Sequence, residues 1–452
     1  MKKMKPCHSQ SALRSDILPR ELWAWAMYDF ANSSYTTVVI TALFNTYFVA
    51  VVAGNAPWAT FAWTATLSAS YALIVLSAPV IGAYADLRAA KKKLLVITTA
   101  GCVLFTAAML YFAQPETLWF AIVCVIASNF FFGSGENLIA AFLPEIAKVR
   151  AMGRASGWGW SLGYIGGLLT LGLCLLYVTW AEAHGQTAAQ FVPVTMLITA
   201  GVFTLASLPT FLLLRERAVP SASQGTRLEA SPLRKAWLEV WQTLRHLRQF
   251  ADLRRFLLCS LFYQAGITAV ITLTAIYASQ ALKFTTQEIL QLVLVVNITA
   301  AVGAFLFGHL QDRIGHIRTI ALTLAGWMVT ILLAWMAHEP PLFWVAANIA
   351  GLSLGASQSA GRALVGVLAP PSRLAEFYGF WGLAAKLASI AGPLTYGITT
   401  WLTDGDHRRA LLLTGSYFVI GLILLSGVQV ARGRRAALRA ERLARKAAIN
   451  RR

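Results

Sequence analysis

Residues 308–318 read GHLQDRIGHIR, and residues 82–93 read GAYADLRAAKKK. Setting Gly82 on Gly308 also sets Asp86 on Asp312 and Pro144 on Pro370, and within a few residues it brings SGWGW (156–160) onto YGFWG (378–382). Each copy joins one long apolar run to the next. The chain therefore reads as a duplication of two similar halves in parallel orientation. In both copies the glycine allows a helix to approach a neighbour closely. The aspartate can accept hydrogen bonds from a facing helix N-terminus or pair with a basic residue.

Composition sets the solvent for these halves. Of 452 residues, 57% are hydrophobic and 13% charged, far below the roughly 25% charged of soluble domains, and mean hydropathy is +0.61. The chain is read as an integral, all-α membrane protein. A helix needs about 20 mostly apolar residues to cross the hydrocarbon. Scanning predicts twelve spans: 22–50, 60–84, 92–113, 117–143, 156–180, 191–214, 255–280, 288–310, 318–337, 342–366, 374–402 and 409–431.

The net charge of +19 raises nucleic acid as a partner, but its distribution argues for membrane topology instead. Apart from Lys283, Lys386, Arg408 and Arg409, every Lys and Arg falls in the termini or toward the loops of one side. By the positive-inside rule both termini are cytoplasmic, and a plasma (bacterial inner) membrane is expected. The organisation is a segment 1–21, a six-helix bundle 22–214, a linker 215–254, a second bundle 255–431 and a basic tail 432–452. Within the linker, Trp237, Val240, Trp241, Leu244 and Leu247 recur at helical spacing beside Arg234, Lys235, Arg245 and Arg248. This predicts either an amphipathic helix on the inner leaflet or a solvated helix packed on the bundle.

Gly308-x-x-x-Asp312-Arg313-x-Gly315-x-x-Arg318 resembles the loop signature of the major facilitator superfamily. In the first copy Leu87 replaces the basic residue and Ala89 the second glycine. WAMYDFANSSY (25–35), FLPEIA (142–147), SGWGWSLGYIGG (156–167), GASQSAGR (355–362) and EFYGF (376–380), with Lys386 and Gly392-Pro393, are similar to one branch, the vacuole-effluxer-like transporters related to autophagy-associated amino-acid exporters. That resemblance implies the major facilitator fold and a transported amino acid or related small polar metabolite. The family's seventh helix usually carries Tyr-Asn-Asp-Gly, whereas this chain has Tyr263-Gln264-Ala265-Gly266, so one family carboxylate is missing.

A carboxylate at hydrocarbon depth costs a few kcal/mol, so Asp29 demands an explanation. Asp29, Asn32, Ser33, Thr36 and Thr37 fall at helical spacing on one face of the first span, which predicts a polar stripe lining a cavity. Alternatively, Asp29 ties the cytoplasmic end of that helix to a basic neighbour. The fourth span carries Asn129, Glu136 and Asn137, with Glu136 either a proton or substrate-amine site or half of a static ion pair. Lys386 lies deep in the eleventh span, placed to bind a substrate carboxylate or to neutralise Asp29 or Glu136; snorkelling to the cytoplasm is the alternative. Tyr263 and Gln264 offer uncharged groups to the same cavity. Gly82, Asp86, Gly308, Asp312, Arg313, Arg318, Arg362 and Glu376 are assigned to gating, with Asp312, Arg313, Arg362 and Glu376 read either as an inner gate network or as a permanent structural cluster.

No nucleophile and base cluster, phosphate loop or metal-ligand spacing is present, so no enzyme activity, cofactor or metal is expected. The chain is read as a monomeric secondary transporter working by alternating access, with protons as the coupling ion. A carrier of a drug-like or lipid-like solute, and a receptor on the same scaffold, remain as alternatives.

Overall fold

In hydrocarbon every backbone N–H and C=O must be satisfied within its own segment, so the apolar runs can only become helices. The computed structural model describes residues 13, 17–54, 56–112, 114–218, 237–238, 240–241, 247–281, 284, 286–403 and 406–449. Among these, twelve long helices follow one another: α1 (Pro19–Tyr35, continued to Val52), α2 (Ala59–Arg88), α3 (Lys91–Phe112), α4 (Leu118–Ala140), α5 (Met152–Ala183), α6 (Ala188–Leu213), α7 (Ala251–Ala281), α8 (Thr286–Ile314), α9 (His316–Met336), α10 (Pro340–Leu368), α11 (Leu374–Leu402) and α12 (His407–Ser426). A thirteenth, α13 (Val430–Ile449), forms most of the tail. Nine of the described helices are apolar enough to count as membrane spans by hydropathy alone. The remaining three of the twelve, α7, the glycine- and serine-rich α10 and the lysine-bearing α11, fall outside that set, although all of them pack into the bundle. Trp237 and Trp241 are exposed and Val240 is buried, but most of the expected linker helix lies outside the described residues.

The packing repeats between the halves. In the first, α1 packs on α5 and α6, α3 on α4 and α6, and α2 on α4; in the second, α7 packs on α11 and α12, α9 on α10 and α12, and α8 on α10. Across the interface α5 meets α8 and α10, while α11 meets α2 and α4. Exchanging the halves turns each of these contacts into another of them, as two parallel repeats about a pseudo-two-fold axis require. This is the major facilitator architecture.

Two local features depart from regular α-helix. The first span is not α-helical throughout, because Thr36–Ala42 and Phe48–Val52 form wide π turns. Side-chain hydroxyls bond back to the backbone there, Thr36 to the Asn32 carbonyl at 3.2 Å and Thr41 to the Thr36 carbonyl at 3.0 Å. Wide turns of this kind cluster at functional sites. The second feature is at the signature loops: Gly315 has φ +92°, and Ala89, its counterpart in the first copy, has φ 49°. Both turns keep a positive φ but not the same shape, since Ala89 is left-handed helical at ψ 50° while Gly315 is at ψ 158°, and the alanine holds its conformation at a cost of about 1 kcal/mol.

Candidate functional site

The signature aspartates do the same work in both copies. Asp312, near the end of α8, accepts the N–H groups of Gly153 at 3.0 Å and Arg154 at 3.2 Å, in the first turn of α5. Asp86, near the end of α2, accepts the Glu376 N–H at 2.9 Å, in the first turn of α11. Each carboxylate thus compensates the orphan donors and the positive end of a helix in the opposite half. The glycines make room for this. A Cβ at Gly82 would run into the Ala375 carbonyl, and one at Gly308 would lie 2.8 Å from the Gly153 carbonyl oxygen.

Asp312, Arg313, Arg362 and Glu376 do not form one network. Glu376 is paired with Arg373, and Asp312 with Arg154 at 3.2 Å. Arg313 and Arg318 are exposed and form no ion pair among the described residues. Arg362 points into the molecule, where its Nη1 lies 2.7 Å from Asp29 Oδ2 and 2.9 Å from Oδ1. The guanidinium also donates to the Ser156 hydroxyl at 3.1 Å and the Ser156 carbonyl at 2.9 Å. It lies over the rings of Trp25 and Trp160, at 4.7 and 5.4 Å. With side chains only 4% and 10% exposed, this pair joins α1 to α10 and closes the floor of a central cavity.

The cavity has a volume of about 410 Å³, within the range that takes a small metabolite. It extends from Asp29 and Arg362 to Thr41, Phe343 and Leu411, away from the signature loops. Asp29, Asn32, Ser33, Thr36 and Thr37 all line it, together with Glu136 and Lys386. The Lys386 ammonium lies 3.5 Å from Glu136 Oε2, with side chains 14% and 30% exposed, and 5.4 and 5.7 Å from the rings of Tyr71 and Phe132. Lys386 therefore faces Glu136, while Asp29 is neutralised by Arg362. The wall contributed by the second half is mostly apolar and includes Val270, Leu292, Val296, Ile331 and Phe343.

The remaining expected residues pack beside the cavity. Asn129 donates to the Ser70 hydroxyl at 2.6 Å, tying α4 to α2. Asn137 sits where a Cβ on Gly382 would be. The buried Tyr263 hydroxyl accepts from Ser260 at 3.3 Å. Gln264 exchanges amide hydrogen bonds of 2.8 and 3.0 Å with Gln358, and it is Gln358 that lines the cavity.

Sequence reasoning passed over Trp160, Tyr164, Gln358 and Trp381 as cavity residues. Only the four-residue spacing of Trp160 and Tyr164 on α5 could have signalled them. It also passed over a buried charge cluster toward the loop side, in which Lys91 pairs with Glu145 and Arg217 pairs with Glu21 at 2.9 Å. There Glu216 accepts the N–H groups of Lys91 and Lys92 at 2.8 and 3.0 Å.

Two matching six-helix lobes around a central chamber that holds a few ionisable groups define a transporter of the major facilitator superfamily, a multi-pass membrane protein that moves a small-molecule substrate and is not an enzyme. Solved structures agree on the fold. A structure of the E. coli fucose:proton symporter FucP superposes with a TM-score of 0.71 at 13% identity, covering 92% of this chain and 100% of its own. The human organic anion transporter MFSD10 (TETRAN) gives 0.68 at 16% identity, covering 90% and 100%. Residues 59–438 match the family described as vacuole effluxer Atg22 like, and the chain belongs to that family. An uncharacterized MFS-type transporter of Bacillus subtilis, YxiO, is 26% identical over 90% of this chain and 94% of its own length. Autophagy-related protein 22 of Kluyveromyces lactis is 25% identical over 62% of this chain, which spans 59% of that relative's length.

Proposed function

We propose that the protein is a secondary active transporter for an amino acid or a related zwitterionic metabolite. The observation that carries this reading is the Glu136–Lys386 pair. It faces the cavity, is longer than the Asp29–Arg362 pair and is more exposed. A substrate carboxylate can take Lys386 and a substrate ammonium can take Glu136, so one zwitterion replaces both partners without leaving a buried charge unpaired. With no substrate bound, the two side chains neutralise each other.

Transport follows an alternating-access cycle in which the bundles 22–214 and 255–431 rock about the central site. The Asp86, Asp312 and Asp29 contacts hold the loop side closed and break when the halves tilt. Glu136 is the proposed proton-coupling site. The protein acts as a monomer in the plasma (bacterial inner) membrane with both termini in the cytoplasm, as the bias of Lys and Arg supports, and it exports its substrate, consistent with the effluxer family.

The test is a proteoliposome screen of amino acids with and without an imposed pH gradient. Accumulation of at least one amino acid that responds to the gradient supports the reading, and no amino-acid flux in either condition sinks it. The apolar wall of the second half favours a second reading, a more hydrophobic or drug-like solute. Inhibition of uptake by such compounds but by no amino acid would select it.

A further inference from the structure

Helix α13 follows α12 after the short turn Gly427–Gln429. Ile420 and Ile423, in the last turns of α12, are exposed as lipid-facing residues are, so α13 starts at the depth of the membrane surface. One side of it is docked on the protein. Arg432 bonds Asp252 at 2.6 and 2.7 Å, and Gly433 packs so closely that a Cβ would lie 2.6 Å from Leu368 Cδ2. Ala437 is buried, and Glu441 accepts the Ser372 N–H at 3.1 Å.

The opposite side carries Arg434, Arg435, Leu438, Arg439 and Arg442, all exposed. At about 100° per residue these five share an arc of about 140°. None of the four arginines forms an ion pair among the described residues, and Arg435 only bonds the Ala431 carbonyl at 3.2 Å. An anionic surface relieves the mutual repulsion of four such cations.

We infer that this face binds the anionic phospholipid headgroups of the adjacent leaflet. Position favours a bilayer over a soluble polyanion, because the turn Gly427–Gln429 keeps the start of α13 beside the end of the membrane helix α12. The central Leu438 also suits an interface in which arginines reach phosphates around an apolar contact. Arg318 lies beside a groove formed with Ile314, Ala321, Leu322 and Leu422, and Leu422 is one turn before the end of α12, so this unpaired arginine faces the same leaflet. Lipid held under α13 also steadies the turn Pro371–Arg373, to which Glu441 is bonded and from which α11 starts beside Asp86.

The test is hydrogen exchange of residues 430–443 in the full chain, reconstituted in nanodiscs of phosphatidylcholine alone or with phosphatidylglycerol added. The arginine face predicts exchange about tenfold slower in the anionic discs. The difference should vanish in high salt and in the R434Q/R435Q/R439Q/R442Q variant. Equal exchange in both lipids, or slowing that survives the four substitutions, overturns the proposal. So does slowing by heparin in phosphatidylcholine discs where phosphatidylglycerol has none. The salt titration on the unaltered chain keeps the test decisive if the variant folds poorly.

Discussion

Arg362 of α10 reaches across the interface to place its Nη1 2.7 Å from the carboxylate of Asp29 on α1, so the two halves share an ion pair at the closed end of the chamber. Removing one partner of a buried pair leaves the other uncompensated, at a cost of about 3 to 5 kcal/mol. Asp29→Asn keeps the shape and removes the charge. It is expected to lower the melting temperature of the purified protein and to make the loop side of the chamber accessible to thiol reagents in a single-cysteine background. A variant with an unchanged melting temperature and normal transport kinetics would show that the pair holds neither the fold nor the closed state.

Glu136→Gln should behave differently. Its pair with Lys386 is longer and reaches the cavity, and partly exposed pairs contribute about 1 kcal/mol or less. Thermal stability should therefore stay nearly constant while pH-dependent transport is lost. Proton coupling that persists in Glu136→Gln proteoliposomes would remove Glu136 from that role.

Asp86→Asn and Asp312→Asn each weaken charge-assisted acceptance at a helix N-terminus of the other half, a contribution of about 1 kcal/mol apiece. Because the contacts are related by the pseudo-symmetry, the two variants should shift the halves in the same direction. Electron-spin distances between labels at the signature ends of α2 and α11 should gain a longer component in both. A shift in Asp312→Asn alone would mean that the copy with Leu87 and Ala89 no longer works as a gate.

Gly82→Val and Gly308→Val test the close approach itself. The introduced Cβ would meet backbone atoms of Ala375 or Gly153, which cannot rotate away as a side chain can, so a strain of about 1 to 3 kcal/mol is expected. Separation of the halves on the loop side relieves that strain. Both variants should populate the state open toward the termini, read as increased alkylation of a cysteine placed at Ser156. Unchanged alkylation in a folded variant would show that the interface absorbs the volume without opening.

The spans, their order and the duplication were legible in the chain because lipid leaves an apolar run of about 20 residues no structure but a helix. The polar stripe from Asp29 to Thr37 was legible for a similar reason, since helical spacing puts these residues on one face. The partners of the charges were not. Nothing local distinguishes Arg362, which turns inward to Asp29, from Arg313, which turns to solvent, although both lie toward the same end of their helices. The extent of α13 was hidden too, because the tail was read by its charge alone, while its helix is pinned by Asp252 and Ser372 from distant segments.

By itself the sequence determined a twofold array of membrane helices and a short set of ionisable groups that lipid could not hold, because burial in hydrocarbon acts on each segment separately. Only the tertiary structure decided which of those groups meet. Pairing across the pseudo-two-fold interface depends on contacts between residues hundreds of positions apart, and it separates the tight floor pair Asp29–Arg362 from Glu136–Lys386, left open to the chamber.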